Sequence, residues 1–350
     1  MYTRDFSPPS PSPVVKGKAV HGTWNRAFDD VNLASLAKPL ALPFPRFRST
    51  YRLKEWQTFL LSNNSWVLSG AIMDLKYFRV ARITLWDIEK REVLNYRKTL
   101  PMGSWRLPRS LSNSSVTSSS LGFYVRIHNW LDAELIEIDM DIDHRAKRNS
   151  FTGHVEFDLH EARTRPYTSC LPLAGDGCMY SSKIFTPVHG DFVFGGRHIS
   201  MTPADSGGIF CDYKGFFPYR YRGTWAQGQG RTAEGLAWAF SIADNHIDPS
   251  SEHHEHVLWL DGSCHPLPAV RITRAGESVD SDWVIQDTEG MVDLTFTPRA
   301  PNSYTKNKIL TRTDYQAPLG VYNGQLVSPH GDRIPVRNLE GIIENLYLRL

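Results

Sequence analysis

Residues 66–88 read WVLSGAIMDLKYFRVARITLWDI, and residues 121–143 read LGFYVRIHNWLDAELIEIDMDID. Both stretches alternate apolar and polar side chains with a period of two and are rich in Val, Ile, Phe, Tyr, Trp and Thr. That pattern predicts strands with one face buried. MVDLTFTP (291–298) repeats it on a smaller scale. Between such runs fall turn-forming pairs: Asn63-Asn64, Asp176-Gly177, Gly195-Gly196, Asp261-Gly262, Asn323-Gly324 and Gly331-Asp332. Helical signals are scarce. The clearest, LKEWQTFLL (53–61), fits a helix or equally a strand with its tryptophan inward. Long antiparallel sheets joined by hairpins expose edges unless they curl or close. The expectation is therefore an all-β chain of two antiparallel β-barrels or half-barrels with few short helices.

The length of 350 residues suits two domains. RPYTSCLPLAGDGCMY (165–180), within the window 165–185, carries Pro, Gly and several small turns. It sets the expected division into 1–18, a disordered Pro/Ser-rich leader, 19–175 and 176–350. RSLSNSSVTSSS (109–120), flanked by strand-like sequence, reads as a mobile hairpin loop. No apolar run approaches the ~20 residues that span a bilayer, and the N-terminus lacks a secretory apolar core. Integral membrane association is not expected. Cys170, Cys178, Cys211 and Cys264 are too few and too irregular for a disulfide scaffold or a zinc ribbon, so a reduced, cytoplasmic protein is expected.

A formal net charge of +2 excludes a global polyelectrolyte. Residues 1–100 carry 16 Lys/Arg against 8 Asp/Glu, and residues 251–300 carry 3 against 9. These charges are scattered, as expected for solvated strand faces rather than a nucleic-acid or membrane patch. There is no Gly-x-Ser-x-Gly elbow, Walker loop, dinucleotide fingerprint or His-Glu-x-x-His helix.

The most unusual window is CDYKGFFPYRYRGTWAQGQG (211–230), dense in aromatic, basic and glycine residues without clean alternation. Asp212 and Lys214 share strand parity, and burial of such a pair sets desolvation against mutual attraction. That is one way to make a general acid, and also one way to close the end of a barrel. Pro218 could re-aim Tyr219 toward the same surface, and Trp225 could wall it. In EHHEH (252–256), alternation places His254 and His256 on one face; without a third ligand nearby, an exposed hairpin rather than a metal site is expected.

GTWNRAFDDVNL (22–33), MDLKYFRVARITLWD (73–87) and SSKIFTPVHGDFVFGGR (181–197) resemble the DUF2804 family, a family of unknown function. The resemblance continues through 211–230, HEHVLWLDG (254–262), VDLTFTP (292–298) and LGVYNGQLVSPHGDRIPVRNLEGIIE (319–344). The chain departs from the family pattern at Gly223, where an aromatic is expected, and at His256, where Asn is expected. The family is in turn similar to two-barrel, lipocalin-like proteins such as carotenoid hydratases and tocopherol cyclases.

The resemblance implies two lipocalin-like barrels around a hydrophobic small-molecule ligand, isoprenoid-, polyketide- or lipid-like. Asp212, Lys214 and Tyr219 are then the candidate catalytic residues, for an acid-assisted hydration, isomerisation or cyclisation. Trp225, Lys183, Tyr221, Glu255 and His256 are the ligand-facing candidates. A non-catalytic carrier using the same pocket, or a scaffold with no ligand, are the alternatives. No cofactor, metal or nucleic acid is called for, and nothing in the sequence signals an oligomeric state.

Overall fold

The computed structural model describes residues 4–39, 51–103, 106–143, 149–173, 178–245, 247–248, 251–278, 280–307 and 311–349. Among them, helix is limited to the three-residue 3₁₀ turns Leu33–Ser35 and Leu131–Ala133 and the single 3₁₀ residue Asn149. Nearly everything else that is regular is antiparallel strand, in a sheet of thirteen strands and a second of eleven. The helix-or-strand stretch at 53–61 is the strand Leu53–Ser62, with Trp56 buried.

Each sheet curls around its own apolar interior as a half-barrel. Phe59, Ile83, Ile138 and Phe157 fill the first; Phe240, Ile285, Phe296 and Tyr322 fill the second. The strand Phe123–Trp130 shows the period-two rule plainly, with Phe123, Val125, Ile127 and Asn129 buried and the residues between them only partly so. A third cluster, including Trp56, Trp86, Tyr213, Trp225 and Trp259, lies where the outer faces of the two sheets meet. Strands that serve both an inner and an outer core are buried on both faces. Gly207–Phe216 is buried at every position. This explains why the 211–216 part of the unusual window shows no alternation: both faces are inside.

Several expectations need correction. Only 109–113 of the Ser-rich segment is irregular: Ser114–Ser120 is a strand paired in register with Phe123–Trp130. Its neighbour's ladder and the inward Val116 override serine's weak strand propensity. Asn323-Gly324 is not a turn but lies inside Leu319–Val327, where the register shifts at a bulge. Asp261-Gly262 is a turn, with φ of 48° and 75° joining paired Leu260 and Ser263 as in a two-residue I′ hairpin. Asp176-Gly177 lies outside the described residues.

The expected division at 175/176 falls between Tyr167–Pro172 and Cys178–Phe194, which pair within the first sheet. The chain passes from one sheet to the other at 217–219, between Gly207–Phe216 and Arg220–Arg231. Nor is the described part of the leader loose. Ser7 N–H donates to Thr23 O, Trp24 Nε1–H to Pro8 O, and Val14 is buried. Arg4 reaches the second half-barrel, donating to Glu252 O at 3.0 Å and Glu289 Oε1 at 3.2 Å.

Candidate ligand-binding site

Where the half-barrels meet, a buried ion pair ties them together. Lys183, on Cys178–Phe194, sits 2.9 Å from Glu255 Oε2, and the two side chains are 0% and 1% exposed. Lys183 Nζ also donates to Glu255 O at 2.7 Å and Ser241 Oγ at 3.2 Å. Glu255 accepts from the Tyr213 hydroxyl at 2.7 Å and from Asn245 Nδ2. Ammonium and carboxylate are thus both hydrogen-bonded, which a buried pair requires. Burial first, then the Glu255 carboxylate, pushes the Tyr213 phenol well above its ordinary pKa. Burial and Glu255 do the same to Tyr221.

Tyr213 also lines a cleft between the half-barrels. Its cavity volume is about 90 Å³. Trp56, Tyr213 and Trp225 form one wall, with Trp56 stacked on Tyr213 at 5.5 Å and Tyr213 meeting Trp225 edge-on at 6.4 Å. Met73, Leu75, Val80, Leu346 and Leu348 add aliphatic surface, and Tyr304 and Tyr315 come from the second sheet. The lining is mainly apolar with a few polar groups, as small-molecule sites are. Arg82 donates to Glu344, which also accepts from the Tyr315 hydroxyl. Burial lowers the Arg82 pKa, but Tyr315 and Glu344 outweigh it and raise the pKa overall.

The expected site residues divide into three groups. Lys183, Glu255, Tyr221 and Trp225 gather around Tyr213, Tyr221 lying 6.2 Å from Trp225 ring to ring. Gly223 makes that contact possible: a Cβ there would fall 2.6 Å from the Trp225 ring and 2.9 Å from the Tyr221 hydroxyl, so the aromatic expected at 223 has no room. His256 is adjacent and buried, not on an exposed hairpin. Its Nδ1 accepts the Ala243 N–H at 3.0 Å, and its ring stacks on His254 at 5.2 Å. Burial, then the charges of His254, Lys183 and Arg4, hold its pKa well below the usual value.

Asp212 and Lys214 do not join this group. Cys211 and Tyr213 point into the core between the sheets, whereas Phe210 and Phe216, of the parity of Asp212, point into the first half-barrel and beneath the N-terminal segment. There Lys214 Nζ binds both Asp212 oxygens at 2.7 Å, and Gln57 Nε2 donates to Asp212 Oδ1 at 3.3 Å. The pair lies on the side of this strand away from the cleft, whose lining includes neither residue. Tyr219 is 42% exposed, with Arg52 over its ring at 5.4 Å, so Pro218 does not turn it inward.

Sequence reasoning missed Tyr213, Trp56, Arg82, Tyr315 and Glu344. A signal existed for Tyr213: it lies between Asp212 and Lys214, so parity alone sends it to the opposite face. The others come from strands whose meeting is a matter of tertiary packing. Glu137, His154 and Glu156 bring possible metal-ligand atoms within 4.8 Å of one another. Both His154 ring nitrogens are already engaged, by Asp139 at 2.8 Å and Glu156 at 3.1 Å.

Comparison with known proteins agrees with the architecture. The solved structure of CghA superposes with a TM-score of 0.54 at 11% identity, over 99% of this chain and 97% of that one. Kievitone hydratase from Nectria haematococca superposes with a TM-score of 0.48 at 14% identity, over 84% and 88%. CghA is a two-barrel lipocalin-like protein, and this chain shares that fold. No curated protein matches the chain in sequence. The model of the family described as "Domain of unknown function (DUF2804)" matches residues 11–350, and the chain belongs to that family.

Proposed function

We propose that this protein binds a hydrophobic, ring-bearing small molecule in the cleft between its half-barrels. One observation carries the reading: an open, aromatic-walled cleft whose wall residue Tyr213 is held rigid by the buried Lys183–Glu255 pair. Aromatic walls offer large contact areas at little conformational cost, and a pinned wall is already organised for its ligand. The phenol of Tyr213, with its raised pKa, stays protonated at neutral pH. Its hydroxyl is already donated to Glu255, so what it offers a ligand is its ring.

The test uses the fluorescent probe N-phenyl-1-naphthylamine, neutral and apolar. The protein should bind it saturably and quench Trp56 and Trp225. Leu346→Trp, which fills the cleft, should abolish binding while leaving thermal stability near that of the parent. Unchanged binding in that variant places the probe elsewhere and sinks the reading.

A further inference from the structure

The charged side chains among the described residues lining the cleft are Arg82, Arg97 and Glu344. Arg82 and Arg97 stand directly opposite each other on the adjacent strands Arg79–Asp87 and Glu92–Leu100. Like charges in that arrangement destabilise a sheet. Glu344 offsets one of them: its carboxylate takes the Arg82 guanidinium, which also lies 4.1 Å from the Tyr315 ring centroid. Arg97 has an aromatic neighbour but, among the described residues, no carboxylate partner. Its guanidinium sits 3.7 Å from the centroid of the Tyr304 ring, and among the described residues it forms no salt bridge.

The cleft therefore carries one uncompensated positive charge at its exposed edge, beside an apolar interior. An aromatic ring against one face of a guanidinium leaves its planar N–H edge free, and that edge matches a carboxylate two bonds at a time. We infer that Arg97 is the anion-recognition group of the cleft, and that its ligand is an amphipathic organic acid with one carboxylate on an apolar body. This rests on the cleft-binding reading above. Burial and the neighbouring Arg82 lower the Arg97 pKa somewhat, yet a guanidinium remains charged at neutral pH. Pairing with an anion would offset the repulsion from Arg82.

The test pairs N-phenyl-1-naphthylamine with 8-anilinonaphthalene-1-sulfonate, the same aromatic amine bearing an anionic group. Arg97→Gln should weaken the anionic probe by roughly tenfold, equivalent to 1.4 kcal/mol, and leave the neutral probe within about twofold. Arg97→Lys, which keeps the charge without the fork, should recover part of the loss. In the unsubstituted protein, dodecanoate should displace the neutral probe at least about tenfold better than dodecan-1-ol, and the advantage should shrink with added salt. A wild-type preference for dodecyl phosphate over dodecanoate overturns the carboxylate assignment. If both probes respond alike to Arg97→Gln, or dodecanoate has no advantage, the inference is wrong while the cleft reading stands. If neither probe binds, the cleft reading itself is wrong.

Discussion

Replacing Lys183 with Met should destabilise the protein by about 3–5 kcal/mol, because it leaves the Glu255 carboxylate buried without its cation. The separation of 2.9 Å and exposures of 0% and 1% set the scale. At an effective dielectric of about 20 the direct attraction is roughly 6 kcal/mol, which desolvation of both ions largely offsets in the intact pair. Deleting one ion removes the attraction but keeps the other's desolvation. Glu255 retains Tyr213 and Asn245 as donors, so the loss should sit toward the lower end. The double replacement Lys183→Met, Glu255→Leu removes both charges and should recover most of it. Urea denaturation followed by tryptophan fluorescence measures this, with m-values checked because two half-barrels need not unfold together. A loss below about 1 kcal/mol for Lys183→Met, or a double variant worse than either single one, would refute the buried-tie argument.

Other consequences are as specific. Asp212→Asn breaks the buried pair with Lys214 and should lower stability by about 3 kcal/mol, yet leave probe affinity in the cleft within about twofold, as titration will show. Gly223→Ala should cost about 1–3 kcal/mol and shift the Trp225 emission, since its Cβ would meet that ring at 2.6 Å. His256 has a folded-state pKa below its unfolded one. Above pH ~6.5 both states are neutral and there is no penalty; below it the unfolded chain takes up a proton that the folded one refuses. Stability should therefore fall on acidification by up to about 1.4 kcal/mol per pH unit. Denaturation at pH 7.5, 6.5 and 5.5 should show His256→Gln removing most of that slope.

The fold was legible where one face of a strand meets solvent. In Phe123–Trp130 a period of two is visible because buried and partly buried positions alternate. It disappears in Gly207–Phe216, which is covered on both sides, and there composition misleads: Asp212 and Lys214 look like a site because two charges in an apolar run are conspicuous. Their parity was read correctly. What parity cannot supply is which face meets the second half-barrel, since that depends on the packing of Arg220–Arg231 and Arg333–Arg349 across the interface. The Lys183–Glu255 pair spans 72 residues of sequence and Arg82–Glu344 spans 262, so neither leaves a local trace. The buried histidines have the same origin: 252–256 is polar enough to suggest a surface hairpin, and only the docking of Tyr167, whose hydroxyl donates to His254 O at 2.7 Å, shows it to be covered.

The central claim is that the cleft between the half-barrels holds an apolar ligand. A crystal structure grown with N-phenyl-1-naphthylamine tests it most directly. Difference density for the naphthyl ring should lie against Trp56, Tyr213 and Trp225, with the Tyr213–Glu255 hydrogen bond intact. Density for the probe inside either half-barrel, with this cleft vacant, would contradict the account.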